Sequence, residues 1–200
     1  MKRLFDLIFT VTILTIFSPL FFLIALLIKC TSKGPILYKQ KRLGQYGHPI
    51  FCYKFRSMHE NAEQKLALLL ASDPKLQEEW TTYYKLKVDP RITSLGRFLR
   101  KTSLDELPQF FNVLKGDLSV VGPRPVTSHE ITTYYKDKAS LILSVRPGIT
   151  GLWQTSGRSL LSFEERIVLE EKYVKERSFF LDLKLIAKTI PAMICPNDAY

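Results

Sequence analysis

The stretch from Arg100 to Gly116, RKTSLDELPQFFNVLKG, is the segment around which the rest of the sequence is arranged. Ser103, followed three residues later by Glu106, is a capping-box pattern, and Pro108 is tolerated only near the first turn of a helix. The apolar residues that follow predict a helix that ends at the glycine. Asp105 and Glu106 are therefore predicted at a helix N-terminus, where the helix dipole favours ionised carboxylates.

Two interpretations of this acidic pair are open from the local sequence. In the first, Glu106 closes the cap and Asp105 only complements the dipole, which is a common use of acids in a first turn. In the second, an ionised carboxylate at an anion-attracting helix end attacks a phosphorus atom. Three cations come just before the pair and suit an anionic ligand, namely Arg97, Arg100 and Lys101.

Length and charge restrict the classes of protein to consider. A chain of 200 residues is large enough for one core and small for two domains. Residues 1–60 hold nine Lys or Arg against two acids, whereas the remaining 140 residues hold 20 against 17. Because this basic segment surrounds an apolar one, anionic lipid is the expected partner, and the absence of zinc-finger spacing or an RNA-recognition signature argues against nucleic acid. The three cysteines and three histidines are scattered, which predicts neither a disulfide framework nor a His/Cys metal site.

The apolar stretch Leu4 to Ile28 predicts a membrane element. It is long enough to span a hydrocarbon core of about 30 Å, and it lacks the small-residue cleavage site of a signal peptide. Ser18 and Pro19 fall in its middle, where the proline removes a helix hydrogen bond and bends the axis. Since basic residues flank both ends, a re-entrant helix–break–helix hairpin would keep both flanks in the cytoplasm. A tilted spanning helix with a proline kink is the alternative.

This pattern predicts a re-entrant membrane anchor over residues 1–33 and a cytoplasmic catalytic domain over 34–200, forming one structural unit. Within the second part, Ile36–Tyr38 and Ile50–Phe55 are predicted strands around a basic loop over 39–47, and Asp117–Val121 is a predicted strand. Capping boxes are expected where Ser57, Thr127 and Ser162 each precede a glutamate by three residues. The fold class predicted is mixed α/β (α+β), helix-rich with a small sheet region.

Two further segments of the sequence have an amphipathic pattern. Leu76–Leu86, with Trp80 and Tyr84, is suited either to the lipid interface or to the protein core. Phe179–Ile194 is predicted as a final amphipathic helix that is bent or ended at Pro191. Interfacial amphipathic helices are part of the predicted fold.

Several arginines fall on or near turns that also hold glycine or proline. They are Arg97, Arg100, Arg124, Arg146 and Arg158. Arginine is the side chain for bidentate phosphate recognition, and Mg²⁺ prefers one or two carboxylates together with phosphate oxygens. No Walker A loop, GxGxxG or HExxH motif is present, which argues against kinase, Rossmann and zincin sites. The residues by themselves predict a membrane-bound enzyme that acts on phosphates.

Nearly the whole chain carries motifs in an order that resembles one family. The motifs are Lys2-Arg3-Leu4-Phe5-Asp6-Leu7, Ser18-Pro19, Lys54-Phe55-Arg56-Ser57-Met58, Thr102-Ser103-Leu104-Asp105-Glu106-Leu107-Pro108-Gln109, Asn112-Val113-Leu114-Lys115-Gly116-Asp117, Gly122-Pro123-Arg124-Pro125 and Arg146-Pro147-Gly148-Ile149-Thr150-Gly151. They resemble the bacterial sugar transferases, the monotopic phosphoglycosyl transferases that start glycoconjugate assembly on polyprenol phosphate. Members of minimal length have the re-entrant hairpin without further spanning helices.

The resemblance implies a two-step transfer at the cytoplasmic face of the bacterial inner membrane. Asp105 would attack the β-phosphate of a UDP-sugar and release UMP, and polyprenol (undecaprenyl) phosphate would then accept the sugar phosphate. Glu106, with Asp105, would hold Mg²⁺. Arg100 and Arg124 match phosphate-binding positions, and further contacts to nucleotide, sugar or lipid phosphate are assigned to Lys54, Arg56, Arg146 and Arg158. The segment Ser144–Arg158 is reminiscent of members that transfer galactose or glucose phosphate, and a homodimer is one assembly to consider.

Three other functions would fit parts of the sequence. A nucleotide-sugar hydrolase would use the same aspartyl intermediate, but polyprenol phosphate would not alter its release of sugar phosphate. A non-enzymatic lipid-binding adaptor would be insensitive to Asp105→Asn. A nucleic-acid binder would shift DNA in a salt-dependent manner.

Overall fold

The N-terminal apolar stretch forms two helices that meet at a bend. In the computed structural model, which describes residues 1–83, 86–157 and 161–194, α1 (Lys2–Ile16) and α2 (Ser18–Thr31) are bent by 62° relative to each other. Pro19 lacks the N–H that would bond the Thr15 carbonyl, and the Ser18 hydroxyl donates to that carbonyl at 2.9 Å instead. The predicted break at Ser18 and Pro19 is confirmed. Among the described residues no single helix is long and apolar enough to cross a bilayer. The two helices of this bent pair together have that length and apolarity.

Polar side chains near the start of α1 bind it to the rest of the protein. Asp6, the one acid in the apolar stretch, is buried and accepts hydrogen bonds from the Ser119 hydroxyl at 2.8 Å and the Val120 N–H at 3.2 Å. Arg3 donates to the carbonyls of Val113 and Leu114 at 2.6 and 3.0 Å. Since a carboxylate is costly to bury unless it is hydrogen-bonded, Asp6 requires this packing against the body.

Helix α2 packs on the same body through its apolar side. Ile24 and Ile28 are buried in a cluster with Phe55, Leu99 and Leu107, and Phe110 completes it. Burying side chains of this size contributes about 1.5–3 kcal/mol each. The bent pair therefore has one face inside the protein, while its other face is exposed.

Two small sheets form the β-structure. Strands β1 (Leu37–Leu43) and β2 (Pro49–Phe55) are antiparallel, whereas β3 (Ser119–Val121) and β4 (Gly148–Thr150) pair in parallel. The strand predicted over 117–121 is confirmed for its last three residues. The basic loop predicted over 39–47 is wrong in its first half, because residues 39–43 continue β1. Charged side chains are compatible with a strand that has an exposed face, so their presence did not mark a loop.

The remaining segments are mostly helical. The helices after the hairpin are α3 (Ala62–Ser72), α4 (Pro74–Tyr83), α5 (Ser94–Lys101), α6 (Gln109–Lys115), α7 (Ser128–Glu130) with a π-helical continuation (Ile131–Tyr135), α8 (Ala139–Leu143), α9 (Phe163–Glu176) and α10 (Phe179–Ile194). Short 3₁₀ turns cover Gln45–Gly47, Leu104–Glu106 and Lys136–Lys138. A helix-rich fold with small sheets is the predicted fold class.

The capping predictions succeed at two of three serine or threonine positions outside the acidic pair. Thr127 and Ser162 form complete capping boxes with the glutamates three residues later. The box predicted at Ser57 is wrong, since its hydroxyl accepts a hydrogen bond from Arg100 and α3 begins only at Ala62. The hydroxyl of Ser57 thus accepts from a donor that the tertiary structure brings close, and not from the backbone of a following helix.

The amphipathic segments differ in their surroundings. Trp80 in α4 is half-buried, and the Arg91 guanidinium lies over its ring at 5.2 Å from the centroid. Tyr84 lies outside the described residues. Helix α10 continues through Pro191 to Ile194. An end of the helix at Pro191 is therefore wrong, and a bend there stays a prediction.

Asn112 joins α6 to the β-hairpin. The side chain is fully buried, accepts from the Tyr53 N–H at 2.9 Å and donates to the Phe51 carbonyl at 2.7 Å and to Asp117 at 3.1 Å. Because α6 follows the Asp105–Glu106 turn, the hydrogen bonds of Asn112 hold that turn at a fixed distance from β2.

We expect Asn112→Ala to lower the free energy of unfolding by about 1–3 kcal/mol, because it removes a buried side chain and leaves the Tyr53 N–H and the Phe51 carbonyl without that partner. Thermal and denaturant unfolding of the detergent-solubilised protein measure the effect. The control is Asn61→Ala, since Asn61 is exposed and makes no side-chain cap for α3. Equal stability of the two variants would contradict the assignment.

Candidate functional site

The acidic pair lies on a 3₁₀ turn and not within the first turn of a helix. Leu104–Glu106 forms this turn, Ser103 before it has a left-handed backbone with φ of 56°, and α6 begins at Gln109. Ser103 makes no side-chain capping bond, so the capping box predicted for Ser103 and Glu106 is wrong. The purely structural interpretation of Glu106 as a cap is therefore also wrong, because its carboxylate points elsewhere. The helix stop at Gly116, with φ of 92°, is confirmed.

Glu106 is held between two cations. Its Oε1 accepts from Lys54 Nζ at 2.7 Å and from Arg124 Nη2 at 3.3 Å. Burial by itself would raise the pKa of Glu106, but the positive charges of Lys54 and Arg124 outweigh it and lower the pKa to about 2. Glu106 is consequently ionised at any physiological pH.

Asp105 has a different environment although it is the next residue. Its side chain is buried, with 7% of the residue exposed, and no described residue donates a hydrogen bond to its carboxylate. Burial raises the pKa of Asp105 to about 6, assisted by the negative charge of Glu106 and opposed by Lys54, Arg100 and Arg124. The dipole argument predicted a stabilised anion, and for Asp105 it is wrong because desolvation is the larger effect. At neutral pH the result is a carboxylate with weakly solvated oxygens.

Arg100 approaches this turn from the end of α5. Its Nε donates to the Ser57 hydroxyl at 2.9 Å, and burial lowers its pKa while the charge of Asp105 opposes that shift. The contact requires α5 to lie against residue 57, which Gly96 allows, since a Cβ there would collide with the Ser57 carbonyl. Arg100 thus adds its positive charge to those of Lys54 and Arg124 near Asp105.

Arg124 is held in place by a hydrogen bond from its backbone and by a cation–π contact of its side chain. Its backbone N–H donates to Glu170 at 3.2 Å, and its guanidinium lies 5.6 Å from the Trp153 ring centroid. Arg166 lies 4.7 Å from the same ring and donates from Nε to Glu170 at 3.0 Å. Tyr135 also donates to Glu170, at 2.7 Å. The flanking prolines restrict the backbone of Arg124, so both its ends are held.

The other predicted substrate contacts are not all brought to this site. Lys54 joins it through Glu106, whereas Arg56 is buried and donates to the Ser32 carbonyl and hydroxyl at 2.8 and 2.7 Å, at the end of α2. Arg146 is exposed and lines a separate cavity near the start of α1. Arg158 lies outside the described residues.

Three residues of the site have roles that the sequence did not indicate. Ser57 binds Arg100 and does not cap a helix, and the Glu170–Arg166 pair supports Arg124 and Trp153. Residues 166 and 170 are four apart on a helix, which is the spacing of a side-chain pair on one face. That spacing alone does not show that the pair faces inward.

The acidic pair fits a magnesium ion better than a transition metal. No group of three or more His, Cys, Asp or Glu residues able to hold a metal occurs in the described part of the chain. Asp105 has both oxygens free of described donors, and only Oε1 of Glu106 is engaged. Mg²⁺ needs only one or two carboxylates because it keeps water and takes substrate phosphate oxygens. The chemistry of the donor set is therefore compatible with it.

Comparison with known proteins gives one consistent family. A family model described as bacterial sugar transferase matches residues 1–196. The chain is 47% identical over its full length to undecaprenyl-phosphate galactose phosphotransferase of Salmonella typhimurium and 43% identical to exopolysaccharide production protein ExoY of Sinorhizobium fredii. It is 42% identical to UDP-glucose:undecaprenyl-phosphate glucose-1-phosphate transferase of Klebsiella pneumoniae.

The chain spans 42% of the Salmonella protein and 41% of the Klebsiella protein, but 88% of ExoY. The match to the family model runs through the hairpin, the acidic pair and the arginine-bearing loops. These observations, together with the similarity over the whole chain, place the protein in the bacterial sugar transferase family.

Proposed function

We propose that this protein transfers a sugar-1-phosphate from a UDP-sugar to polyprenol phosphate, with Asp105 as the nucleophile. The observation that carries the proposal is the contrast within the acidic pair. One carboxylate is neutralised by Lys54 and Arg124, while its neighbour is buried, close to cations and without a hydrogen-bond donor among the described residues. Relatives named for undecaprenyl-phosphate phosphotransfer, with galactose or glucose in their names, support the same reaction class.

In the first step, an Asp105 carboxylate oxygen attacks the β-phosphorus of the UDP-sugar. The bond from that phosphorus to the oxygen bridging to UMP breaks, and UMP leaves with the electron pair. The product is a sugar phosphate bound to Asp105 as an acyl phosphate. Low solvation of the carboxylate favours this attack, because little water must be removed from the nucleophile.

The arginines contribute by charge. Arg124 pairs with Glu106, and the charges of Arg100 and Arg124 both act on Asp105. Bidentate donation to phosphate oxygens is the geometry to which guanidinium groups are suited. They would neutralise the charge that builds up on the diphosphate as UMP departs. Mg²⁺ bound by Glu106 and Asp105 would supply further neutralisation of the phosphate oxygens.

In the second step, a phosphate oxygen of the polyprenol phosphate attacks the same phosphorus. The acyl phosphate bond breaks, Asp105 recovers its carboxylate, and polyprenyl-diphospho-sugar is released. Two displacements at one phosphorus predict ping-pong kinetics. A hydrolase would use water in place of the lipid phosphate in this step.

We further propose that residues 1–33 form a re-entrant anchor at the cytoplasmic face of the bacterial inner membrane, with residues 34–200 as the catalytic part. Both ends of the helix pair are bound to the same body, through Lys2 to Asp182 at 2.6 Å and through Ser32 to Arg56. Each arm, at about 1.5 Å per residue, is shorter than a hydrocarbon core of about 30 Å. The exposed apolar side chains near the bend, such as Ile16 and Phe22, suit burial in one leaflet.

The nucleophile is tested with the donor alone. Incubating the protein with a panel of UDP-sugars and Mg²⁺ should release UMP and leave a sugar-phosphate adduct on Asp105, detected by mass spectrometry. Asp105→Asn should lower UMP release by about three orders of magnitude or more and abolish the adduct, because an amide is a poor nucleophile. Asp137→Asn, at an exposed acid on a surface turn, is the control.

Two results would contradict this mechanism. One is UMP release that persists in Asp105→Asn. The other is free sugar phosphate formed at the same rate with and without polyprenol phosphate, which would indicate the hydrolase.

The pH profile tests the environment of Asp105. UMP release from donor alone should fall as the pH drops through about 6, because protonated Asp105 cannot attack. Lys54→Gln should move this acid limb to higher pH, since the Lys54 charge lowers the pKa of both acids. Lys175→Gln, at an exposed lysine that pairs with Glu171, is the control. An acid limb near the ordinary carboxylate value of about 4, unmoved by Lys54→Gln, would show that burial does not govern this group.

The membrane placement is tested by thiol labelling. In a variant whose native cysteines are replaced, a cysteine is placed next to Met1 or at position 33 and treated with a membrane-impermeant maleimide. A re-entrant hairpin predicts that both positions react in inverted vesicles and neither reacts in spheroplasts. Labelling of the first position only from outside would instead establish a tilted spanning helix.

A further inference from the structure

A basic cavity of about 180 Å³ lies where α1 begins against β3 and α9. Its volume is several times the roughly 30 Å³ that a water molecule occupies in the liquid. Four cations line it, namely Lys2, Arg3, Arg146 and Arg177. The acidic pair and its cations Lys54, Arg100 and Arg124 are not among its lining residues in the described part of the chain.

Two of the four cations already have partners. Lys2 is paired with Asp182 at 2.6 Å, and Arg3 donates to the carbonyls at the end of α6. The acid in the cavity wall, Asp6, is occupied by two hydrogen bonds from β3. These two donors satisfy the oxygens of Asp6 but are neutral, so the four cations outnumber one acid in the cavity wall.

Arg146 and Arg177 differ from Lys2 and Arg3 in their surroundings. Both are exposed, and within the described residues neither guanidinium forms an ion pair or a side-chain hydrogen bond. Arg146 precedes β4 and Arg177 ends α9, so two separate elements direct a positive charge to one cavity. Two unneutralised guanidinium groups around a space of this size suit a phosphate group.

Two exposed aromatic rings follow Arg177 at the start of α10. Phe179 and Phe180 are 51% and 82% exposed. Phe179 packs edge to face on Phe5 at 5.3 Å between centroids, which makes the starts of α1 and α10 one continuous surface. A phosphate site beside an exposed apolar surface is complementary to an amphiphile.

We propose that this cavity binds the phosphate of an anionic phospholipid, whose acyl chains lie along the exposed rings of Phe179 and Phe180 at the start of α10. The site is separate from the proposed transfer site, and it rests on the proposed membrane placement but not on the chemistry of Asp105. Its role would be to hold the start of α1 at the headgroup level by charge, in addition to the apolar burial of the hairpin.

Native mass spectrometry of the protein in a neutral detergent tests the site. Short-chain phosphatidylglycerol, short-chain phosphatidylcholine and inorganic phosphate are titrated separately. We expect phosphatidylglycerol to bind at the lowest concentration, because its headgroup adds no positive charge to a basic cavity. The double variant Arg146→Gln/Arg177→Gln should weaken that binding by about tenfold or more.

The control double variant Lys136→Gln/Lys172→Gln removes two exposed charges outside the cavity and should bind phosphatidylglycerol within about twofold of the parent. The charge-preserving variant Arg146→Lys/Arg177→Lys should retain most of the binding, which separates loss of charge from loss of folding. Equal weakening in the control, or no weakening in the arginine variant, would overturn the proposal. Inorganic phosphate that saturates at the same concentration as the lipid would overturn the lipid assignment.

The variant Asp105→Asn separates this inference from the transferase proposal. It should bind phosphatidylglycerol as the parent does while forming no sugar-phosphate adduct. If the parent protein forms the adduct but does not prefer phosphatidylglycerol, only the lipid site is contradicted. If it prefers phosphatidylglycerol but forms no adduct, only the transferase mechanism is contradicted.

Discussion

The ion pairs that hold Glu106 are the interaction on which the site depends. Two adjacent buried carboxylates would repel each other, and at least one would take up a proton unless cations were present. Lys54 from β2 and Arg124 from the loop after β3 supply those cations on the Glu106 side. The negative charge of Glu106 is thereby compensated, and Asp105 is left with a raised pKa and no hydrogen-bond donors among the described residues.

This arrangement links the site to the membrane hairpin. Phe55 follows Lys54 along β2 and is buried against Ile24 and Ile28 of α2, in the same cluster as Leu107. At the other end, Arg3 of α1 caps α6, whose first residues follow the acidic turn. Elements that pack on the hairpin therefore also set the position of the acidic pair, which suits an enzyme that must meet a lipid-borne acceptor.

Some of the fold could be predicted because its causes are local. The break at Ser18 and Pro19, the helix stop at Gly116 and the capping boxes at Thr127 and Ser162 follow from one residue's geometry or from a pair three residues apart. Predictions failed where a side chain had distant partners to choose from. Ser57 and Glu106 carry capping patterns, yet their oxygens bind Arg100 and Lys54, which are far away in the sequence.

By itself the sequence determined the family, the acidic pair, the candidate arginines and the apolar helix pair. Each of these is recognisable from a short run of neighbouring residues. Only the tertiary structure decided which acid is neutralised and which is left free, since that depends on burial and on cations from β2 and a distant loop. The tertiary structure also places arginines that have similar sequence surroundings at different sites. Arg124 is stacked on Trp153 beside Glu106, whereas Arg146 lines another cavity, because chain packing and not local pattern directs a flexible charged side chain.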